Sequence, residues 1–379
     1  MTTETVFTNA RIVLEDSIIV GSVQIHDGKI ADVSEGTVRA GKDFEGDYLI
    51  PGLVELHTDH LEQHYSPRPG LRWNTTAAIQ AHDAQIASSG ITTVFDCLRM
   101  GADEDGGFVR GEMREVADGI ESAQKEGRLR AEHLLHLRCE VSADNVLEHF
   151  ADFADDPFVR LVSLMDHAPG QRQFQTMDQY IFYYQKKRGL SDEAFKIFVD
   201  KRISESERNS TPHRKEIAKI AAERGITVAS HDDATLAHVD EAIENGVKLA
   251  EFPTSVVAAE ASREAGMSVL MGAPNVVRGS SHSGNIAARE LAEQGNLDIL
   301  SSDYVPFSLL HAPFILAASV HGMSLPRAIA MVTTTPARTV GLLDRGRIAP
   351  GLRADLVRVH HQEGVPVARA TWREGKRVA

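Results

Sequence analysis

Cysteine is scarce, with two residues, Cys97 and Cys139, in a chain of 379. Both lie in apolar, strand-like runs, which reads as buried thiols rather than a disulfide. Long apolar runs are missing too. No stretch of about 18 apolar residues occurs, so no membrane span is expected. The opening Met1-Thr2-Thr3-Glu4 has no basic start and no apolar segment behind it. No export signal is therefore expected, and a soluble cytoplasmic protein follows. An excess of basic residues is also lacking, since the formal net charge is -14. That argues against a broad nucleic-acid surface. It leaves room for an anionic small molecule, because a local patch of arginine or a metal can outweigh the global sign. A homo-oligomer stays open.

What is present is ordinary globular composition, 42% hydrophobic and 25% charged, enough for one large core or two domains. Residues 6–14, 22–26 and 29–33 read as strands, with Asp27-Gly28 as a hairpin turn. The far end has the same texture, with strands at 354–359 and 365–372 and a turn at Glu374-Gly375. Two β-rich ends around a long middle suggest one small β domain built from both termini. The middle alternates. Strand-like runs fall at 53–57, 92–96, 134–139, 159–165, 227–230, 248–252, 268–271 and 299–302, and helical stretches such as 76–89, 114–126, 214–224 and 234–245 separate several of them. Eight β/α repeats predict a (β/α)8 TIM-type barrel at 51–342, beside a small β domain of 1–50 plus 343–379. A doubly wound open sheet is the alternative, although no Gly-rich nucleotide fingerprint follows the first strand. The connection from Met165 to Thr227 is too long to be simple. Its Tyr180, Tyr183 and Tyr184 belong either to a lid over a site or to helix packing.

The strand ends carry the unusual residues. His57 and Asp59 stand two apart on an extended chain, so they point the same way and can grip one cation. Glu140 ends the third strand, and His167 follows the fourth. His231 ends the fifth, with Asp232 and Asp233 behind it, and Asp303 follows the eighth. In a barrel all these ends open on one face. Three carboxylates (Asp59, Glu140, Asp303) and three imidazoles then favour two divalent ions over one, bridged by Glu140. Zinc fits such a set, and the oxygen-rich donors also admit manganese or iron. Asp303 is the carboxylate best placed to take a proton from water, with His231 and Asp232 next in line. Around this set lie Arg68, Arg172, Arg278 and His282 in turn-rich loops. Backbone N–H groups and guanidinium forks of this kind hold phosphate, while the plain alternative is a set of solvated loops.

The run Pro51-Gly52-Leu53-Val54-Glu55-Leu56-His57-Thr58-Asp59 resembles the opening of the amidohydrolase superfamily, whose usual motif is His-x-His; here Asp59 takes the second place. Residues 133–140, Ser163-Leu164-Met165-Asp166-His167, Ser230-His231-Asp232-Asp233-Ala234-Thr235, Met271-Gly272-Ala273-Pro274-Asn275 and Ser301-Ser302-Asp303-Tyr304 extend the likeness over nearly the whole chain. Within the superfamily the motifs are similar to the diphosphatases of phosphonate catabolism in the carbon–phosphorus lyase pathway. That resemblance implies hydrolysis of α-D-ribose 1-methylphosphonate 5-triphosphate to the 5-phosphate and diphosphate. It also implies a terminal β-sandwich and an Asp303 that is both metal ligand and proton acceptor. The superfamily's paired histidines come from the fifth and sixth strands, yet the sixth here ends Glu251-Phe252-Pro253. The pattern therefore leaves His167 as either a metal ligand or a substrate contact. Two other readings stay in view: a C–N hydrolase of the same superfamily, acting on a cyclic amide or acetyl-amine, and a non-catalytic binding protein.

Overall fold

The computed structural model describes residues 4–68, 70–101, 110–172, 180–186, 190–279 and 286–379. His282 lies outside them, as does the side chain of Tyr183. Both chain ends enter one eight-stranded sheet. Strands β1 (Glu4–Val13), β2 (Ile18–His26), β3 (Lys29–Glu35), β4 (Lys42–Asp43) and β5 (Tyr48–Pro51) come from the N-terminal side. The order is β16-β15-β14-β5-β1-β2-β3, with β4 on β1, where β14 is Leu356–His360, β15 Val367–Arg373 and β16 Lys376–Arg377. The antiparallel β5–β14 pair joins the two ends. Asp27 and Gly28 both take positive φ (47° and 80°), the requirement of a tight hairpin turn whose twist matches its strands. Glu374 and Gly375 repeat it at 48° and 71°. The rings of Phe7 on β1 and Trp372 on β15 sit 4.7 Å apart, with Phe44 against both. Three strands of a flat sheet would separate β1 from β15 by about 14 Å. The sheet therefore coils around its own core.

Strands β6 (Leu53–Thr58), β7 (Ile91–Met100), β8 (Glu132–Glu140), β9 (Val159–Met165), β10 (Thr227–His231), β11 (Leu249–Glu251), β12 (Ser268–Gly272) and β13 (Ile299–Ser301) pair in parallel in that order. A parallel bridge from Thr58 to Asp303 brings the last strand back to the first. All eight expected strands are present. Val54, Leu56, Phe95, Leu134, Leu161, Ala229, Leu249, Leu270 and Ile299 fill the interior. Because alternate residues share a face, β8 then presents His136, Arg138 and Glu140 inward above Leu134. Helix α1 (Leu61–Tyr65) and α2 (Thr75–Ser88) follow β6; α3 (Arg110–Lys125) and α4 (Val146–Ala151) follow β7 and β8.

One helix is far longer than the sequence pattern suggests. Helix α5 runs Asp192–Glu223, where only 214–224 was expected. Pro212 breaks the local pattern, but the helix continues through it from a cap at Ser191, whose side chain accepts from the Ala194 N–H. Tyr180 and Tyr184 are buried against Phe195 and Phe198 of this helix, so these two serve packing. Both cysteines are buried and free. Among the described residues no helix is long and apolar enough to cross a membrane.

The β8 residue Glu132 ties the barrel to the returning C-terminal segment, through Arg345 at 2.7 Å and through Arg353. Burial alone would push its carboxyl up, but the two guanidinium groups outweigh that and hold it below the ordinary 4.5. A depressed carboxyl contributes stability above the unfolded value and loses it as pH falls through the folded value. Glu132→Gln should therefore cost about 2 kcal/mol at neutral pH, less than a fully buried pair because the side chain keeps some solvent contact. Denaturant titrations of both proteins check this: the gap should close on acidification below 4.5.

Candidate metal centre at the barrel mouth

The end of β6 is irregular, and the irregularity has a cause. The pairing register with β7 shifts between Glu55 and Thr58. The fully buried Glu55 carboxylate accepts from the backbone N–H groups of His57 (2.7 Å) and Ser302 (2.5 Å), clamping β6 to the end of β13. Burial pushes this carboxyl up to about 7. Asp303 donates its N–H to the His57 carbonyl and accepts from the Asp59 N–H. Its φ is +55°, in the left-handed region, as are those of Asp232 (57°) and Phe252 (52°) after β10 and β11. Non-glycine residues held there carry local strain, which concentrates at functional sites.

The feature that organises the mouth is Glu251. It ends the sixth barrel strand, whose end carries no histidine. Its two oxygens lie 3.2 Å from His57 Nδ1 and 3.2 Å from His231 Nδ1, and Ser163 Oγ donates to it at 2.5 Å. One carboxylate thus engages the Nδ1 positions of two imidazoles. Such a partner fixes the tautomer and leaves each Nε2 lone pair for a cation. Burial opposes ionisation of Glu251, but the surrounding imidazoles of His136 and His57 outweigh it and hold the carboxyl far below its usual range. Burial would also push His57 down; Glu251 overcomes that and holds it above the ordinary value. His231, by contrast, is lowered, with burial the main cause. His136, the third ring in contact, is pushed down to about 3 by burial.

His167 is treated alike by Glu140, which lies 2.6 Å from its Nδ1 and accepts its backbone N–H at 2.9 Å. Glu140 also accepts from Ser142 Oγ and lies 3.6 Å from Arg202. The other faces of these rings meet. Asp232 Oδ2 lies 3.5 Å from His231 Nε2 and 3.8 Å from His167 Nε2. Those separations are long for hydrogen bonds but near the roughly 3.4 Å between neighbouring ligands of a tetrahedral cation with bonds of about 2.05 Å. The three atoms therefore form a donor set that fits a divalent ion.

Asp59 stands beside them, bound at 2.6 Å by Arg138 Nη1, which holds its carboxyl far below the usual range against the opposing effect of burial. Arg138 pairs in register with Arg99 on β7. Both point to the mouth, and neither was singled out from the sequence. The signal was available for Arg138: it stands between His136 and Glu140 at a spacing of two. Arg172 is placed differently from a solvent-facing clamp. It is buried, it ion-pairs with Asp233 and with Glu241 (2.6 Å), and it props the loop behind His231. Arg68 is exposed on the loop after α1, and Arg278 is exposed in the last turn of the short helix Ala273–Arg278 that leaves β12 at the rim.

Comparison with known proteins agrees with this architecture. The profile of the amidohydrolase family matches residues 62–379. The chain is 46% identical over 98% of its length to the α-D-ribose 1-methylphosphonate 5-triphosphate diphosphatase of Escherichia coli K12, all of which is covered. It is 24% identical, over 89% of its length and 85% of the other, to an imidazolonepropionase of Deinococcus deserti. Among solved structures, the N-acetylglucosamine-6-phosphate deacetylase of Pasteurella multocida superposes with a TM-score of 0.65 over 99% of both chains at 13% identity, a likeness of fold. With eight parallel strands, a coiled sheet built from both termini and a full-length relative of this identity, the chain belongs to the amidohydrolase family.

Proposed function

We propose that the protein hydrolyses α-D-ribose 1-methylphosphonate 5-triphosphate between its α and β phosphorus atoms, giving the 5-phosphate and diphosphate. The observation that carries this reading is the full-length 46% identity to a diphosphatase of that substrate. The mouth chemistry supports it. Asp59, Glu140, Asp232, Glu251 and Asp303 gather carboxylates at one barrel end, while Arg138, Arg99 and Arg278 offer fixed positive charge.

His57, His167 and His231 would hold divalent cations together with Asp232, Asp59 and Asp303, while Glu140, expected from the sequence to bridge two ions, lies behind His167 with both oxygens in hydrogen bonds. The charge balance favours two ions, zinc first and manganese or iron next. When bound, such ions polarise phosphoryl oxygens and acidify nearby water. The chain's own residues do the rest. Glu251 and Glu140 keep the imidazole rings oriented. Asp303 accepts the proton as water oxygen bonds to the α-phosphorus. The bond to the bridging oxygen breaks, and its electron pair leaves with diphosphate. Arg138, Arg99 and Arg278 neutralise the outer phosphates, so catalysis is mostly positioning and charge stabilisation.

Phosphorus NMR of the reaction mixture tests this. Diphosphate should appear in one step. Orthophosphate appearing first, with a 5-diphosphate intermediate, would sink the proposed cleavage position, and no phosphorus product at all would move the reading to C–N hydrolysis. Arg278→Ala should weaken the triphosphate roughly ten- to a hundredfold and the monophosphate product far less, because only the former presents β and γ charges. Arg278→Lys should restore part of that, since an ammonium lacks the guanidinium fork.

A further inference from the structure

We propose that His60, His64 and His82 form a second cation site, outside the barrel, that takes a single divalent ion of the zinc class. The first two lie on one helical face. His60 caps α1 with helical angles (φ -65°, ψ -26°), so His60 and His64 stand one turn apart. Their rings are 4.8 Å apart, and the α2 residue His82 brings its ring to 5.4 Å from His60 and 6.2 Å from His64. One ring nitrogen from each residue lies within 4.8 Å of the other two.

The orientation of His82 is set from behind. Its Nε2 lies 2.8 Å from Asp96 Oδ1. A carboxylate accepts only, so the ring proton sits on Nε2 and the Nδ1 lone pair faces forward. There it meets His60 Nδ1 at 3.1 Å. A carboxylate behind an imidazole is the arrangement that raises ligand basicity and fixes the ring in metal sites. Asp96 is itself anchored: its other oxygen lies 2.7 Å from His133 Nδ1, and His133 Nε2 lies 3.3 Å from Asp83. Phe95, its neighbour on β7, lines the barrel interior, so Asp96 points outward to α2. The cluster is therefore separate from the mouth centre.

A second observation points to a ligand. His64 is a half-buried ring that also has a side-chain hydrogen bond with Gln85, and its Nε2 atom is shielded from solvent with no hydrogen-bond partner among the described residues. A buried polar atom left unsatisfied is destabilising, and a cation would relieve it. Three imidazoles without a first-contact carboxylate select zinc, nickel or copper over magnesium or calcium. An ion there would pin α1, which follows directly on Asp59, against α2 and β7.

The test uses the full-length protein and zinc alone. Wild-type crystals soaked in zinc should show anomalous density among His60 Nδ1, His64 and His82 Nδ1, in addition to any at the barrel mouth. In His64→Gln that density should vanish while the mouth density stays. In solution, zinc titration should show one class of site weakened by at least the roughly ten- to hundredfold that loss of an outer partner costs. Wild-type crystals with no anomalous density among the three rings would overturn the proposal, whatever the variant's stability. So would a His64→Gln protein with unchanged zinc stoichiometry and affinity.

Discussion

Asp303→Asn is expected to lower turnover by about 10²- to 10⁴-fold, the scale of a lost general base. The substitution is unusually clean here. Asp303 holds φ at +55°, and asparagine adopts that conformation as readily as aspartate does. The backbone links from Asp303 to His57 and Asp59 should therefore persist. What changes is the capacity to accept a proton. KM for the triphosphate should move little, and the acid limb of the pH–rate profile should disappear. Metal content, measured in the same preparation, separates the two roles open to this side chain. Retained metal with lost turnover assigns proton transfer. Metal lost in step with turnover assigns ligation. Near-normal turnover would move the base to Asp232, the next carboxylate at this centre.

Glu251→Gln should reduce metal affinity by about 10- to 100-fold and turnover with it. The glutamate offers an acceptor to His57 Nδ1 on one oxygen and to His231 Nδ1 on the other. Glutamine keeps one carbonyl oxygen and replaces the second with an NH2 donor. One of the two imidazoles then faces a donor at Nδ1 and must turn or take the opposite tautomer. Its Nε2 gains the proton and can no longer bind a cation. Elemental analysis and a metal titration of the purified variant check this. Full wild-type affinity would show that Glu251 is only a packing neighbour of the two rings. The shape is nearly conserved, so the effect should exceed any loss of thermal stability.

The architecture was legible because it rests on local patterns. Eight apolar runs with helical stretches between them read directly as barrel strands, and Asp27-Gly28 and Glu374-Gly375 as tight turns. The strand ends were legible for the same reason: His57, Glu140, His231 and Asp303 each close an apolar run. Helix α5 was not, because Pro212 argues locally for a break, whereas tertiary contacts on both sides of it, Ser206 and Ser210 to Asp166 and His213 to the Val141 carbonyl, hold the helix in place.

What the chain by itself determined is which residues sit at strand ends and which face of each strand they share. Period-two alternation encodes direction, inward or outward, and nothing about the neighbour met across the barrel. That neighbour is set by strand order, register and closure. Glu251 reaches His57 across 194 residues and His231 across 20, and Arg138 reaches Asp59 across 79. A carboxylate at the sixth strand looked like a missing histidine in sequence. Only the closed barrel, which brings β6, β10 and β11 around one axis, turns it into the group that orients two imidazoles at once.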